Sequence, residues 1–392
     1  MPSVCLYLQT HQPFRLKNYS VFDIGGDDDY FDQQRNYDYL ARITRKSYLR
    51  TNKILLDLIR QHQGHFKIAF GLSGVLLEQL EKHFPEVIGG FQELVKTGCC
   101  EILAETYHHS LAYLYSPEEF KAQIALHRRK IKSLFGYSPK AFRNTELMLS
   151  NEMARAVEEM GYKTILGEGA DYILGWRSPN YVYKINGAPK IKALLRNYKL
   201  SDDISFRFST RDWSEWPLTA EKFAAWVRGI HGHGDLINLF MDYETFGEHQ
   251  WEETGIFEFL KNLPGEILKY PENNFQNPSD VIKLYKPAGE LDFPHIVTWA
   301  DTERDLSAWL GNKMQQEALN KIYSLETQIK KNKNERILEQ WRKLQTSDHF
   351  YYMCVKWFAD GDVHKYFSPY DSPYDAFIVF MNIFNDLKLR LA

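Results

Sequence analysis

Cysteine is scarce in this 392-residue chain: Cys5, Cys99, Cys100 and Cys354 are its complement. Two are adjacent and two isolated, which excludes a disulfide framework and a zinc ribbon, since both need repeated spaced pairs. No apolar run approaches the roughly 20 residues that span a bilayer, so no membrane is expected as a partner. Charge of one sign is lacking too: 48 Lys and Arg stand against 51 Asp and Glu, for a net −3, well mixed along the sequence. Without a basic patch able to neutralise phosphates, nucleic acid is not an expected partner. Internal repeats and low-complexity tails are absent. The opening Met1-Pro2-Ser3-Val4-Cys5-Leu6-Tyr7-Leu8 has neither a basic n-region nor a long apolar core. It reads as a first strand rather than an export signal, so the cytoplasm is the expected compartment.

What is present describes a globular protein. Hydrophobic residues make up 44% and charged residues 25%, enough for a sizeable core. The length suits one barrel-sized domain with a smaller appendage. Aromatics reach 15%, which serves core packing first and the apolar faces of sugar rings second. Strands are expected at Val4–Leu8, Lys67–Phe70, Glu101–Ala104, Lys140–Phe142, Thr164–Leu166, Tyr181–Lys184 and Leu236–Met241. Between them lie amphipathic stretches such as Tyr48–Arg60, Val75–His83, Pro117–Phe135 and Asn151–Met160, the last with Ser150 placed as N-cap and Gly161 just past its end. Alternation of this kind indicates βα units and a largely parallel sheet, and seven strands over this length favour a barrel. From Asp301 to Ala392 helical periodicity replaces the strand signal. The expected organisation is a barrel over residues 1–295 followed by a helical domain over 296–392 that contributes to the cleft.

In such barrels reacting groups gather where strands end. Five polar clusters do so: His11-Gln12-Pro13, Glu105-Thr106-Tyr107-His108-His109, Arg143-Asn144-Thr145-Glu146, Asp242 through His249, and Pro294 through Asp301. A glutamate ahead of a helix also serves the helix dipole, which covers Glu146 taken alone. Recurrence after successive strands has no explanation in core packing. The run Leu236–Met241 is nearly all apolar and ends at Asp242. If the chain stays extended, Asp242 and Glu244 share a face, and two carboxylates so close raise one pKa, as a general acid near neutral pH requires. Glycosidic cleavage needs two carboxyl groups flanking the bond, and Glu146 and Asp242 supply a pair from separate strand ends. Their spacing does not assign roles.

These motifs, in order, resemble family 57 of the glycoside hydrolases and its α-amylase branch. They are His11-Gln12-Pro13, the Glu105–Ser110 block, Phe142-Arg143-Asn144-Thr145-Glu146-Leu147, Met241 through His249, and Thr298-Trp299-Ala300-Asp301 leading to Trp309. The resemblance implies an incomplete seven-stranded β/α barrel followed by a C-terminal helical domain. It also implies a retaining mechanism through a covalent glycosyl-enzyme, with Glu146 as nucleophile and Asp242 as acid/base and with no metal or cofactor. His11, His108, Arg143, Glu244, His249, Trp299, Asp301 and Trp309 are the expected substrate-binding residues, His108 being preferred over His109 for the sugar beside the nucleophile. The expected substrate is an α-1,4-glucan: starch, glycogen or maltodextrin. The alternatives are a 4-α-glucanotransferase or branching enzyme with the same pair. A zinc-dependent polysaccharide deacetylase or α-mannosidase is disfavoured for want of a suitable ligand pattern, and a non-catalytic glucan sensor because both carboxylates are kept. Oligomeric state is not encoded in these motifs.

Overall fold

The computed structural model describes residues 2–332, 334–356 and 361–391. Ten strands occur among them: β1 (Ser3–Thr10), β2 (Ile68–Leu72), β3 (Cys100–Ile102), β4 (Ala141–Arg143), β5 (Thr164–Glu168), β6 (Val182–Ile185), β7 (Ala188–Arg196), β8 (Leu236–Asp242), β9 (Asn274–Phe275) and β10 (Gly289–Leu291). They pair along two paths, β3-β2-β1-β8 and β10-β6-β7-β5-β4, with β9 joined to β1. Seven of them, β1 to β5 with β7 and β8, form the barrel wall, and their ladders are parallel.

The two paths meet at both edges. Just past β3, Ala104 bridges Phe142 of β4, its N–H reaching the Ala141 carbonyl at 2.9 Å and its carbonyl accepting from Arg143 at 2.9 Å. Between β7 and β8 no ladder forms. There the Asn197 N–H donates to the Asn238 carbonyl at 2.9 Å, and the Asn238 side-chain amide donates to the Leu195 carbonyl at 2.8 Å. This seam is closed by isolated hydrogen bonds rather than by a ladder, which makes the barrel incomplete.

Membership of the wall differs from expectation in one strand. Tyr181–Lys184 is realised as β6, but β6 runs antiparallel to β7 and lies outside the parallel run. The seventh wall strand is β7, which carries Pro189, Lys190 and Lys192 and was not anticipated. A two-residue Asn186-Gly187 connection, with Gly187 at φ +73°, folds β6 back onto β7.

Alternation divides the barrel into inside and outside. On β1 and β8 the residues Val4, Leu6, Leu8, Ile237, Leu239 and Met241 join the outer helices in one apolar cluster, while Cys5, Tyr7, Leu236 and Phe240 fill the interior with Ala69, Leu166 and Leu194. Burial on both faces explains the near-continuous apolar runs. The helix Pro117–Phe135 shows how the outer layer is bounded: Ser116 accepts from the Glu119 N–H, proline opens the first turn, and Gly136 ends it at φ +64°. Ser150 caps Asn151–Glu159 as expected.

After residue 306 the described elements are helices: Ser307–Leu310, Lys313–Ser324, Glu326–Lys331, Glu335–Lys343, Ser347–Tyr351, Gly361–Phe367 and Pro373–Leu389. All of these but Gly361–Phe367 share one apolar cluster with outward-facing residues of β4, β5 and β7. The helical expectation also covers residues 333, 357–360 and 392, which lie outside the described residues. Among the described residues no helix is long and apolar enough to cross a membrane. All four cysteines are unpaired and buried.

Candidate active site

The inward register that places Phe240 in the interior carries on to the strand ends. There it aims Gln9, Glu105, Arg143, Glu168, Arg196 and Asp242 at one another. Glycine at 71 leaves the space: a Cβ there would collide with the Tyr7 hydroxyl and the Gln9 side chain. The loops above this layer hold unusual backbone. Among the described residues, the non-glycine positions at positive φ are His109, Glu146, Leu147, Asp301 and Arg304, with only Gln63 lying elsewhere. Such conformations cost free energy and cluster where a side chain must be aimed.

Glu146 sits in a single turn, Thr145–Leu147, directly after β4, at φ +56° and ψ +30°. Its two oxygens have different partners. Oε1 faces His109 Nε2 at 3.0 Å, and Oε2 accepts from the Trp299 indole N–H at 2.6 Å. The other nitrogen of His109 meets Glu105 at 3.2 Å, and Gln9 donates to both Glu105 oxygens at 3.3 and 3.2 Å. A hydrogen-bonded chain thus runs from the barrel interior to Glu146. Burial would raise the Glu146 pKa, but the hydrogen bond and charge of His109, the charge of Arg143 and the indole donor outweigh it, so the carboxyl is held below its usual range. Burial alone would lower His109; its bonds to Glu105 and Glu146 instead push it up to about 9. At neutral pH an imidazolium bridges two carboxylates.

Asp242 ends β8 and is treated oppositely. Burial, and then the charge of Glu146, raise its pKa to about 6 against the pull of Arg143, His109 and Arg196. Its neighbour Glu244 goes further, to about 8, through burial and the charge of Asp242. The chain does not stay extended here, since Tyr243–Thr245 forms a turn. Glu244 is buried, accepting from the Tyr48 hydroxyl and from Gln12 at 3.4 Å. The expected carboxylate pair therefore exists electrostatically although the alternation that suggested it breaks. Two carboxyl groups with pKa values pushed apart are what one ionised group and one proton donor need.

The remaining expected residues divide. His11 belongs: its ring stacks on His109 at 4.0 Å, between Ser73 Oγ at 2.7 Å and Asp348 Oδ2 at 2.9 Å. Trp299 belongs as well, through its bond to Glu146. The choice between adjacent histidines is corrected, because His109 at φ +50° reaches Glu146. His108 is turned into the wall, 3% exposed, its backbone N–H on Gln123 at 3.3 Å. Arg143 is wholly buried behind the Trp299 ring, 4.9 Å from its centroid; its guanidinium nitrogens have no hydrogen-bond acceptor, and its charge pulls the pKa values of Glu146 and Asp242 down. Trp309 is corrected too. At 1% exposure it is core, on the inner side of its short helix, with its ring 6.0 Å from Tyr351. Asp301 has its carboxylate engaged by His364 at 3.0 Å and Lys356 at 3.1 Å. His249 lies toward Tyr366, 3.3 Å from its hydroxyl, and burial lowers its pKa to about 4. Glu105, His109, Tyr48, Asp348 and Arg196 were not singled out in advance. His109 and Glu105 stood inside a motif already noted, whereas Asp348 has no local signal. Among the described residues no group of three His, Cys, Asp or Glu side chains is placed to hold a metal ion.

The sequence profile of glycosyl hydrolase family 57 matches residues 5–297. A Methanocaldococcus jannaschii protein provisionally named an alpha-amylase is 44% identical over 97% of this chain and 83% of its own length. In fold, the 4-alpha-glucanotransferase of Thermococcus litoralis superposes with a TM-score of 0.69 at 15% identity, covering 89% of this chain and 56% of that one. A branching enzyme of Thermococcus kodakaraensis gives 0.66 at 16% identity, over 93% and 87%.

Proposed function

The chain belongs to glycosyl hydrolase family 57 and is a glycoside hydrolase, and we propose that it cleaves α-1,4 bonds in starch, glycogen or maltodextrin with retention, Glu146 attacking and Asp242 handling the proton. One observation carries the assignment of roles: of two carboxyl groups within reach of each other's charge, Glu146 is held ionised by His109 and Trp299 while Asp242 is pushed up to about 6. In the first step a Glu146 oxygen bonds to the anomeric carbon. The carbon–oxygen bond to the leaving sugar breaks with its electron pair on that oxygen, which takes the Asp242 proton. In the second step water adds to the anomeric carbon, gives its proton to Asp242 and releases Glu146 as carboxylate.

We read residues 1–295 as the barrel unit and 296–392 as a helical unit that helps to build the cleft, supported by the reach of Trp299 to Glu146 and of Asp348 to His11. A cytoplasmic location is supported by four unpaired thiols.

Glu146→Ala is the test. Turnover of maltoheptaose should fall by about a thousandfold or more, while oligosaccharide binding is largely kept, and added azide should restore cleavage by supplying the missing nucleophile. A variant keeping more than about a thousandth of the wild-type rate would remove Glu146 from this role. If the wild-type enzyme yields products longer than the substrate with no net gain in reducing ends, the glycosyl-enzyme is resolved by a sugar hydroxyl and the activity is transfer.

A further inference from the structure

Trp299 does not look like a platform for sugar. Its indole N–H points at Glu146 Oε2 from 2.6 Å, and its backbone N–H donates to the Glu146 carbonyl at 3.2 Å, so one residue holds both the carboxylate and the left-handed peptide that carries it. Trp299 is itself held. Its carbonyl accepts from Arg304, whose guanidinium is paired with the buried Glu168 at 3.5 Å. Two further guanidiniums lie against the ring, Arg143 at 4.9 Å and Arg196 at 5.7 Å from the centroid. Arg196 is anchored on Glu168 at 3.1 Å and on the Phe240 carbonyl at 2.8 Å. Cations on an aromatic face draw on its π electrons, which makes the indole N–H a stronger donor, and a donor to a carboxylate is in any case one of the stronger hydrogen bonds.

Building on Glu146 as nucleophile, we infer that Trp299 is a positioning residue: its arginine-backed indole N–H orients the Glu146 carboxylate and keeps it ionised for attack. The ring's role in holding sugar is secondary. When Glu146 forms its ester through Oε1, the indole N–H keeps Oε2 as its acceptor, so the contact serves both steps.

Trp299→Phe keeps an aromatic ring and loses the N–H. The expected result is a kcat lower by about ten- to a hundredfold with KM for maltoheptaose changed less than about threefold, and an acid limb of the kcat/KM profile moved up by about one pH unit, the size of one charge-assisted hydrogen bond. A KM raised tenfold or more with kcat and the acid limb unchanged would make Trp299 a sugar platform and overturn the inference. If the variant unfolds, the indole proton resonance of Trp299 in selectively labelled wild-type enzyme decides. It should lie downfield and move when Glu146 is changed to Gln; a resonance indifferent to that change overturns the inference. An active Glu146→Ala enzyme would overturn the nucleophile assignment, and this inference with it, whereas an inactive one alongside an unaffected Trp299→Phe would overturn this inference alone.

Discussion

Glu244→Gln should make the protein more stable at neutral and alkaline pH, by an amount that grows with pH. Glu244 is buried, and its carboxyl stands at about 8 instead of the ordinary 4.5 because burial and the charge of Asp242 disfavour the anion. The folded chain therefore binds a proton that the unfolded chain releases anywhere between those two values. Unfolding releases that proton, so stability falls as pH rises from about 4.5 to about 8 and levels off above that. Each unit is about 1.4 kcal/mol, so the loss approaches about 3 kcal/mol near pH 7 and about 5 kcal/mol in full. Glutamine keeps the acceptor that Tyr48 and Gln12 use and has no proton to lose. Asp242 adds a similar decline up to about 6, and His109 and His364, both raised to about 9, add one above about 6.5 in wild type and variant alike, so the Glu244 contribution is the difference between the two curves over pH 6.5 to 8. Urea denaturation across that window should show the wild-type midpoint falling more steeply than the variant's, so that the gap between them widens with pH. Parallel curves would mean that Glu244 titrates normally and that its burial has no electrostatic consequence.

Asp242→Asn should abolish hydrolysis of maltooligosaccharides while leaving the first step on an activated glycosyl fluoride much less affected, and the alkaline limb of kcat/KM near pH 6 should disappear; a variant with the wild-type profile would exclude Asp242 as proton donor. Trp309→Ala should cost about 3–5 kcal/mol of stability, as expected for deleting a fully buried large aromatic, with KM on folded enzyme unchanged, and a selective rise in KM would return Trp309 to the cleft.

The barrel was legible in the sequence because its wall strands are buried on both faces and so appear as short apolar runs. β7 escaped for the opposite physical reason. Its first half, where Pro189 and Lys190 are exposed, lies before the β5 ladder, which begins at Lys192, and only its second half enters the interior through Leu194 and Arg196. The Asn186-Gly187 dipeptide between β6 and β7 was the available signal, since it marks a tight hairpin. Read that way, it would have turned Tyr181–Lys184 from a parallel wall strand into the antiparallel arm that it is.

The proposed pair, Glu146 and Asp242, was legible as strand-end carboxylates, but its surroundings were not, and the reason is geometric. Alternation assumes extended backbone, and the site is built where backbone leaves that state: His109 and Glu146 at positive φ, and Glu244 beyond a turn. With His108 and His109 adjacent, strand logic allows one of them inward but does not choose, because the left-handed step at His109 resets the direction. Trp299 and Trp309 show the same thing from the other side. Both sit in one motif and both are aromatic, yet one donates to a carboxylate while the other fills the core. A buried carboxylate needs a donor, and Trp299 lies on a loop that brings its N–H to Glu146, whereas the short helix Ser307–Leu310 buries the Trp309 ring in the core beside Tyr351. Composition and spacing specify that an aromatic is needed; the backbone path decides whether its edge or its bulk is used.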